Sequence, residues 1–213
     1  MKFLILTDSL GNPRPFPEES KVSVEETFPY LLRDKYKESI FWQLSYGNLT
    51  SDDLINQAAG YVSNWNPDYV IIQSGINDCR PEAFTEFQKI ILNKTLLFNS
   101  LKDRIYDPNL IRRRAIYRVS EKNFKKSALK LRNLFSSSKI FWLEVSANDN
   151  YENKRPGVKK RMRNYNKILE SIFKEGFLEI CNQVKDVDGF NKDGLHLNVF
   201  GHKEIFRIIT QKL

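Results

Sequence analysis

Four short blocks of the 213-residue chain carry side chains that could perform acyl transfer. They are Thr7-Asp8-Ser9-Leu10-Gly11, Ser45-Tyr46-Gly47-Asn48-Leu49-Thr50-Ser51, Ser74-Gly75-Ile76-Asn77-Asp78 and Asp193-Gly194-Leu195-His196. A serine hydroxyl is a weak nucleophile until a positioned imidazole removes its proton. In this reading Ser9 attacks, His196 acts as general base and then general acid, and Asp193 orients the ring and stabilises the imidazolium. The Asp-x-x-His spacing lets both side chains come from one short loop. A tetrahedral intermediate also needs donors aimed at its oxyanion. The Ser9 amide, a backbone amide at Gly47 or Asn48 and the Asn77 side chain could form that oxyanion hole. Taken singly, each piece has a plain structural explanation as a turn, a cap or a surface residue. It is their combination and order that points to chemistry.

Such a set works only if the fold brings it to one place. Apolar runs rich in Val, Ile, Phe and Trp predict strands over 2–6, 39–44, 69–73, 139–145 and 177–181. Between them, helical patterns predict helices over 24–37, 51–65, 81–105, 117–135, 158–174 and 199–212. Alternation of strand and helix argues for βαβ units and a parallel sheet. Ligands of open α/β sheets bind beyond the carboxyl ends of the strands, and the first three blocks each follow a predicted strand. Thr50 with Asp53 has the pattern of a capping box. Pro81 suits the first turn of a helix, and Asn198 can cap the last one.

The blocks resemble those of the SGNH (GDSL-like) hydrolase family. Asp8-Ser9-Leu10 is similar to the family's Gly-Asp-Ser-Leu, with Thr7 in place of the glycine. Gly75-Ile76-Asn77-Asp78 and Asp193-Gly194-Leu195-His196 match its third and last blocks, and Asn198 and Gly201 also fit. The second block departs: the family's oxyanion glycine commonly stands two residues before a Thr-Ser pair, a slot held here by Asn48, with Gly47 one position earlier. Asn tolerates the left-handed backbone region better than most residues, so either amide could serve. The resemblance spans Asp8 to His202. It implies a flavodoxin-like three-layer α/β/α sandwich with a five-stranded parallel sheet, a single domain over 1–213, and Ser9, Asp193 and His196 as the triad. The stretch at about 93–138 exceeds one crossover and is read as a helical insertion.

Charge is concentrated there. The chain holds 34 basic and 26 acidic residues, but Lys89 to Asn133 alone holds 13 basic and 3 acidic ones, including Arg112-Arg113-Arg114. This is either a solvated helical face or a surface for an anionic partner such as a charged glycan or a membrane face. Nucleic acid is disfavoured, because no recognition motif accompanies the basic run. Hydrophobic residues at 41% and charged residues at 28% exclude a disordered or collagen-like chain, and two cysteines exclude a disulfide scaffold. No apolar run approaches the ~20 residues that span a bilayer. The run that begins at Phe3 ends at polar Thr7, short of the about 7–15 residues of a signal-peptide core. The expectation is a cytoplasmic protein.

His202 is read as structural, and Trp42, Trp65 and Trp142 as core. Cys79 lacks a second histidine partner, so a thiol nucleophile is disfavoured. No Cys–His metal spacing occurs, and no cofactor or metal is implied. The Gly-x-Ser-x-Gly elbow of α/β-hydrolases is missing. The expected activity is hydrolysis of O-acyl esters, foremost O-acetyl groups of a carbohydrate, the sugar resting on resemblance alone. Three alternatives stand beside it. One is a glycan O-acetyltransferase with the same triad. Another is a lipid or thioester hydrolase with Ile111, Ile116, Val119 and Phe124 lining a groove. The last is a non-catalytic binding module.

Overall fold

Alternate side chains of the first strand, β1 (Lys2–Thr7), enter two separate cores, Leu4 and Leu6 on one face and Phe3 and Ile5 on the other. A strand covered on both faces reads as a continuous apolar run, which is why its sequence lacks polar alternation. β1 pairs with β2 (Ile40–Ser45) on one side and β3 (Tyr69–Gln73) on the other. A separate two-residue antiparallel pair follows, β4 (Pro81–Glu82) with β5 (Ile116–Tyr117). The main sheet is completed by β6 (Lys139–Leu143) and β7 (Phe177–Leu178). Its order is β2-β1-β3-β6-β7 and every pairing is parallel, the flavodoxin-like order of a doubly wound sheet. The computed structural model describes residues 1–62, 64–94 and 104–213.

Helices cover both faces. Phe28–Lys35 and Val199–Thr210 bury Phe28, Leu32, Ile205 and Ile209 against the Phe3–Ile5 face. Ser51–Tyr61, Glu121–Leu134 and Val158–Phe173 bury Ile55, Phe124, Leu131, Tyr165 and Leu169 against the opposite one. Each fully buried large apolar side chain contributes about 1.5–3 kcal/mol, so the two cores are the main stabilisation of the sheet. Two helix starts border the strand ends that matter. Thr50 caps Ser51–Tyr61 in a capping box with Asp53, and Asn198 caps Val199–Thr210 by accepting the Gly201 amide at 3.0 Å.

Several elements differ from the sequence reading. Pro81 does not begin a helix. As the residue before a proline, Arg80 is held in extended backbone (φ −66°, ψ 134°), the short helix Ile76–Cys79 ends there, and Pro81 pairs with Tyr117 instead; the next helix is Glu86–Lys94. The strand expected over 177–181 stops at Leu178, because the amides of Ile180 and Cys181 both donate to the Glu144 carboxylate and start the helix Cys181–Asp186. The helix expected over 24–37 is a 3-10 turn, Val24–Glu26, followed by Phe28–Lys35 with Pro29 in its first turn. Trp142 is fully buried, but Trp42 is 41% exposed, because β2 is an edge strand; it stacks edge-on with Trp65 at 5.9 Å.

Of the stretch read as an insertion, residues 95–103 lie outside the described ones. The helix Glu121–Leu134 within it is no addition to the fold: Phe124, Ala128 and Leu131 are sealed in the main core, and the helix forms one third of a layer. What exceeds a simple crossover among the described residues is the β4–β5 pair and the helices Glu86–Lys94 and Pro108–Arg114.

Candidate active site

Ser9 opens a 3-10 turn, Ser9–Gly11, immediately beyond β1. The turn forms because Asp8 caps it: Asp8 Oδ1 accepts the Leu10 amide at 3.0 Å, while the Asp8 amide still donates to the Gln73 carbonyl of β3. Ser9 is thereby lifted off the sheet edge and is half-buried. His196 Nε2 stands 3.3 Å from Ser9 Oγ, and His196 Nδ1 lies 2.6 Å from Asp193 Oδ2. Residues 187 positions apart in sequence are thus hydrogen-bond neighbours.

The loop that carries the pair is tied from within. Asp193 Oδ1 accepts the amides of Leu195 and His196, both at 2.9 Å. Gly194 between them has φ +82°, a region where a side chain is strained, and a Cβ there would also meet Asn148 Oδ1. Asn191 donates its amide to the His196 carbonyl at 2.7 Å and its side chain to the Leu197 carbonyl at 3.0 Å. Burial opposes ionisation of Asp193, yet its bonds to His196 and to the two amides outweigh that and hold the carboxyl well below the usual carboxylate range. It is therefore ionised at neutral pH and suited to fixing an imidazole tautomer. Arg14 adds a contact that the sequence did not signal, Nη1 to Asp193 Oδ2 at 3.3 Å.

The second and third blocks are stitched together beside Ser9. Buried Asp78 accepts the Ser51 amide and, at 2.6 Å, the Ser51 hydroxyl. Asn77 Nδ2 donates to the Leu49 carbonyl at 3.0 Å. A primary amide carries two N–H groups, so this bond orients the Asn77 side chain and leaves a second donor. A Cβ built on Gly47 would lie 4.0 Å from Ser9 Cβ, which places that turn against the nucleophile. Asn48, not Gly47, adopts the left-handed conformation, with φ 64°. Its side chain is held there by two guanidinium groups that sequence reasoning missed: Asn48 Oδ1 accepts from Arg80 at 2.7 Å and from Arg118 at 3.0 Å, and Arg118 also donates to the Asn48 carbonyl at 2.8 Å. All the residues singled out for the site therefore converge on the carboxyl end of β1, β2 and β3.

Other candidates fall away from this place. His202 is buried, with Nδ1 accepting the Phe28 amide at 3.3 Å, and burial lowers its pKa to about 4, so it is a neutral structural group. Cys79 is sealed in the core and burial pushes its thiol far up, which excludes a thiolate nucleophile. Of the four residues expected to line an apolar groove, Ile111 and Phe124 are fully buried in packing, whereas Ile116 and Val119 line a cleft away from Ser9. An open pocket of about 410 Å³ lies directly beside His196. A larger cleft, about 880 Å³, runs between the helices Ser51–Tyr61 and Glu121–Leu134 and does not include the Ser9–His196 pair.

The arrangement is a hydroxyl joined to an imidazole whose far nitrogen is held by an ionised carboxylate, with amide donors alongside. Such a relay can move a proton off the hydroxyl as it attacks a carbonyl and return it to a leaving oxygen.

No protein-family profile matches the chain, and no curated protein is significantly similar in sequence. Solved structures are similar over nearly its whole length. A lipase/acylhydrolase from Enterococcus faecalis has a TM-score of 0.67 at 13% identity, covering 99% of this chain and 94% of that one. An acetyl xylan esterase from Geobacillus stearothermophilus gives 0.62 at 18% identity, covering 99% and 93%. A GDSL-like lipase from Bacteroides thetaiotaomicron gives 0.60 at 14% identity, covering 99% and 86%. The fold of this chain is accordingly that of the GDSL-like (SGNH) lipases and esterases.

Proposed function

We propose that the protein is a serine ester hydrolase that removes O-acyl groups, foremost O-acetyl groups, from a carbohydrate. The observation that carries this reading is the continuous path Ser9 Oγ to His196 to Asp193, with separations of 3.3 and 2.6 Å. Ser9 Oγ attacks the ester carbonyl carbon while its proton passes to His196 Nε2. The negative oxygen of the tetrahedral intermediate is received by the Ser9 amide, the Gly47 or Asn48 amide and the free N–H of Asn77. His196 then gives its proton to the leaving alkoxide as the ester C–O bond breaks, releasing the deacylated alcohol. Water repeats the sequence on the acyl-enzyme, with His196 taking a proton from it, and the carboxylic acid departs as Ser9 is restored. Asp193 stays ionised throughout and stabilises the imidazolium formed in each half. The carbohydrate part of the reading draws on the acetyl xylan esterase among the similar structures and on the position of His196 beside an open pocket bordered by Arg80, Lys154 and Arg155.

Labelling with a fluorophosphonate tests the nucleophile without knowledge of the substrate. The native protein is expected to be modified once, on Ser9, and both Ser9→Ala and His196→Ala should lose most of the labelling. Equal labelling of Ser9→Ala would remove the central residue from the proposal. Acetate release from acetylated glycans then tests the substrate, and appearance of the acetyl group on an added glycan acceptor in place of acetate would replace hydrolysis by transfer.

A further inference from the structure

The pocket beside His196 has an unusual charge balance. Besides His196, five cationic or aromatic side chains border it: Arg80, Tyr106, Tyr151, Lys154 and Arg155. Its carboxylate, Asp193, already serves His196 and Arg14. Arg80 is matched by Glu82 at 3.0 Å. The other two cations are not matched by a carboxylate among the described residues. Among the described residues Arg155 makes no ion pair, and its guanidinium packs over the Tyr106 ring at 5.3 Å. Lys154 Nζ donates at 3.1 Å to the backbone carbonyl of Asp193, a neutral partner, and makes no ion pair among the described residues either. Two cations without an ion pair among the described residues thus flank the pocket beside His196. One of them presents a planar fork of donors, and the 62% exposed ring of Tyr106 lies under it.

A guanidinium packed over a ring is partly pre-organised for a carboxylate, which it can bind through two parallel N–H bonds. We infer that this pocket recognises a carboxylate on the alcohol part of the substrate, so that the preferred ester is an O-acylated acidic sugar of the uronate kind. The inference rests on the hydrolase reading above and specifies its substrate class. Arg155 pairs with the carboxylate, Lys154 adds a second charge, and Tyr106 offers its face to the sugar ring. Arg155 and Lys154 leave the helix Asp149–Lys154 at its carboxyl end, one turn from the Asp193–His196 loop. The sugar carboxylate and the scissile ester are therefore gripped by neighbouring groups.

The test compares a matched pair, mono-O-acetyl methyl glucuronide and mono-O-acetyl methyl glucoside. The native enzyme is expected to favour the glucuronide by about 10- to 100-fold in kcat/KM, the worth of one charge-assisted contact, mainly through KM. Arg155→Gln should bring that ratio close to one, Lys154→Gln should lower it less, and added salt should reduce it in the native enzyme. Equal kcat/KM for the two esters, or a ratio unmoved by Arg155→Gln, would overturn the inference. Binding of methyl glucuronide and methyl glucoside to Ser9→Ala, followed by NMR, separates this result from failure of the hydrolase reading. If neither ester is cleaved and Ser9 is not labelled, hydrolysis is refuted, while glucuronide binding that Arg155→Gln abolishes still supports the pocket. Absence of any preference for the glucuronide in that binding measurement refutes the pocket as well.

Discussion

Replacing Gly11 by alanine should damage the turn that presents Ser9, and the damage should depend on Thr7. A Cβ built on Gly11 would stand 2.5 Å from Thr7 Oγ1 and 2.7 Å from both Thr7 Cβ and Cγ2, where ordinary contact begins at 3.4 Å. Thr7 cannot swing aside. It is fully buried, its β-branched side chain has few rotamers, and its hydroxyl is hydrogen-bonded to Ser45 Oγ at 2.5 Å. Overpacking of this kind costs about 1–3 kcal/mol. Because Ser9 lies between the two clashing residues, its hydroxyl should also move away from His196. Thr7→Gly alone costs about 1–2 kcal/mol, from the lost hydrogen bond and the greater chain entropy of glycine. In the double variant the alanine methyl enters the space that Thr7 vacates, so the two losses should fall short of their sum by about 1–3 kcal/mol. Urea unfolding of the four proteins measures this coupling, and fluorophosphonate labelling should fall in Gly11→Ala and recover in the double variant. Losses that add to within about 0.5 kcal/mol would refute the reasoning, since independent sites behave that way.

Two further outcomes are expected. Asn77→Ala should lower kcat by about 10²–10³-fold with little change in KM, because its free N–H meets charge only in the transition state; a change confined to KM would contradict that role. Asp8 and Asp78 should make stability fall as pH rises from about 4 to 7, with the buried neutral His202 opposing them by one proton between about 4 and 6.5. Burial pushes the Asp8 carboxyl up to about 7, against the Leu10 amide and with Asp78 adding to the rise. Burial likewise raises Asp78 to about 6, against its bonds from Ser51. A carboxyl whose pKa is raised by folding is held protonated in the native state. Its contribution is complete below the unfolded value near 3.8 and is lost as pH climbs through the native one. Asp8→Asn should flatten this dependence by on the order of 1 kcal/mol per pH unit, and unfolding free energies measured across the range that keep the native slope would count against a protonated Asp8.

The sheet was legible because each buried strand is a short apolar run bounded by polar turns, and hydrophobic periodicity needs only neighbouring residues to be seen. The strand Tyr69–Gln73 coincides with its reading, and the capping residues Thr50 and Asn198 were visible as local patterns. Ser9, Asn77, Asp193 and His196 were visible for a related reason: each sits in a compact block whose internal spacing is fixed by one turn. Local competition was harder to foresee. Pro81 could have opened a helix or joined a strand, and only its pairing with Tyr117 decided.

The sequence by itself determined the order of the blocks, the alternation of strand and helix and the concentration of basic residues along 89–133. Tertiary structure alone decided which residues support those blocks. Arg14 reaches Asp193 across 179 positions, and Arg118 reaches Asn48 across 70, so no spacing announces either contact. It also decided that a helix which looked like an addition is part of the core, because burial of Phe124 and Leu131 depends on the sheet face they meet. The pocket beside His196 likewise exists only where Tyr106, Arg155 and the Asp193–His196 loop converge. Hydrogen bonds and charges act over a few ångströms of space, whereas a linear chain records only distance along itself.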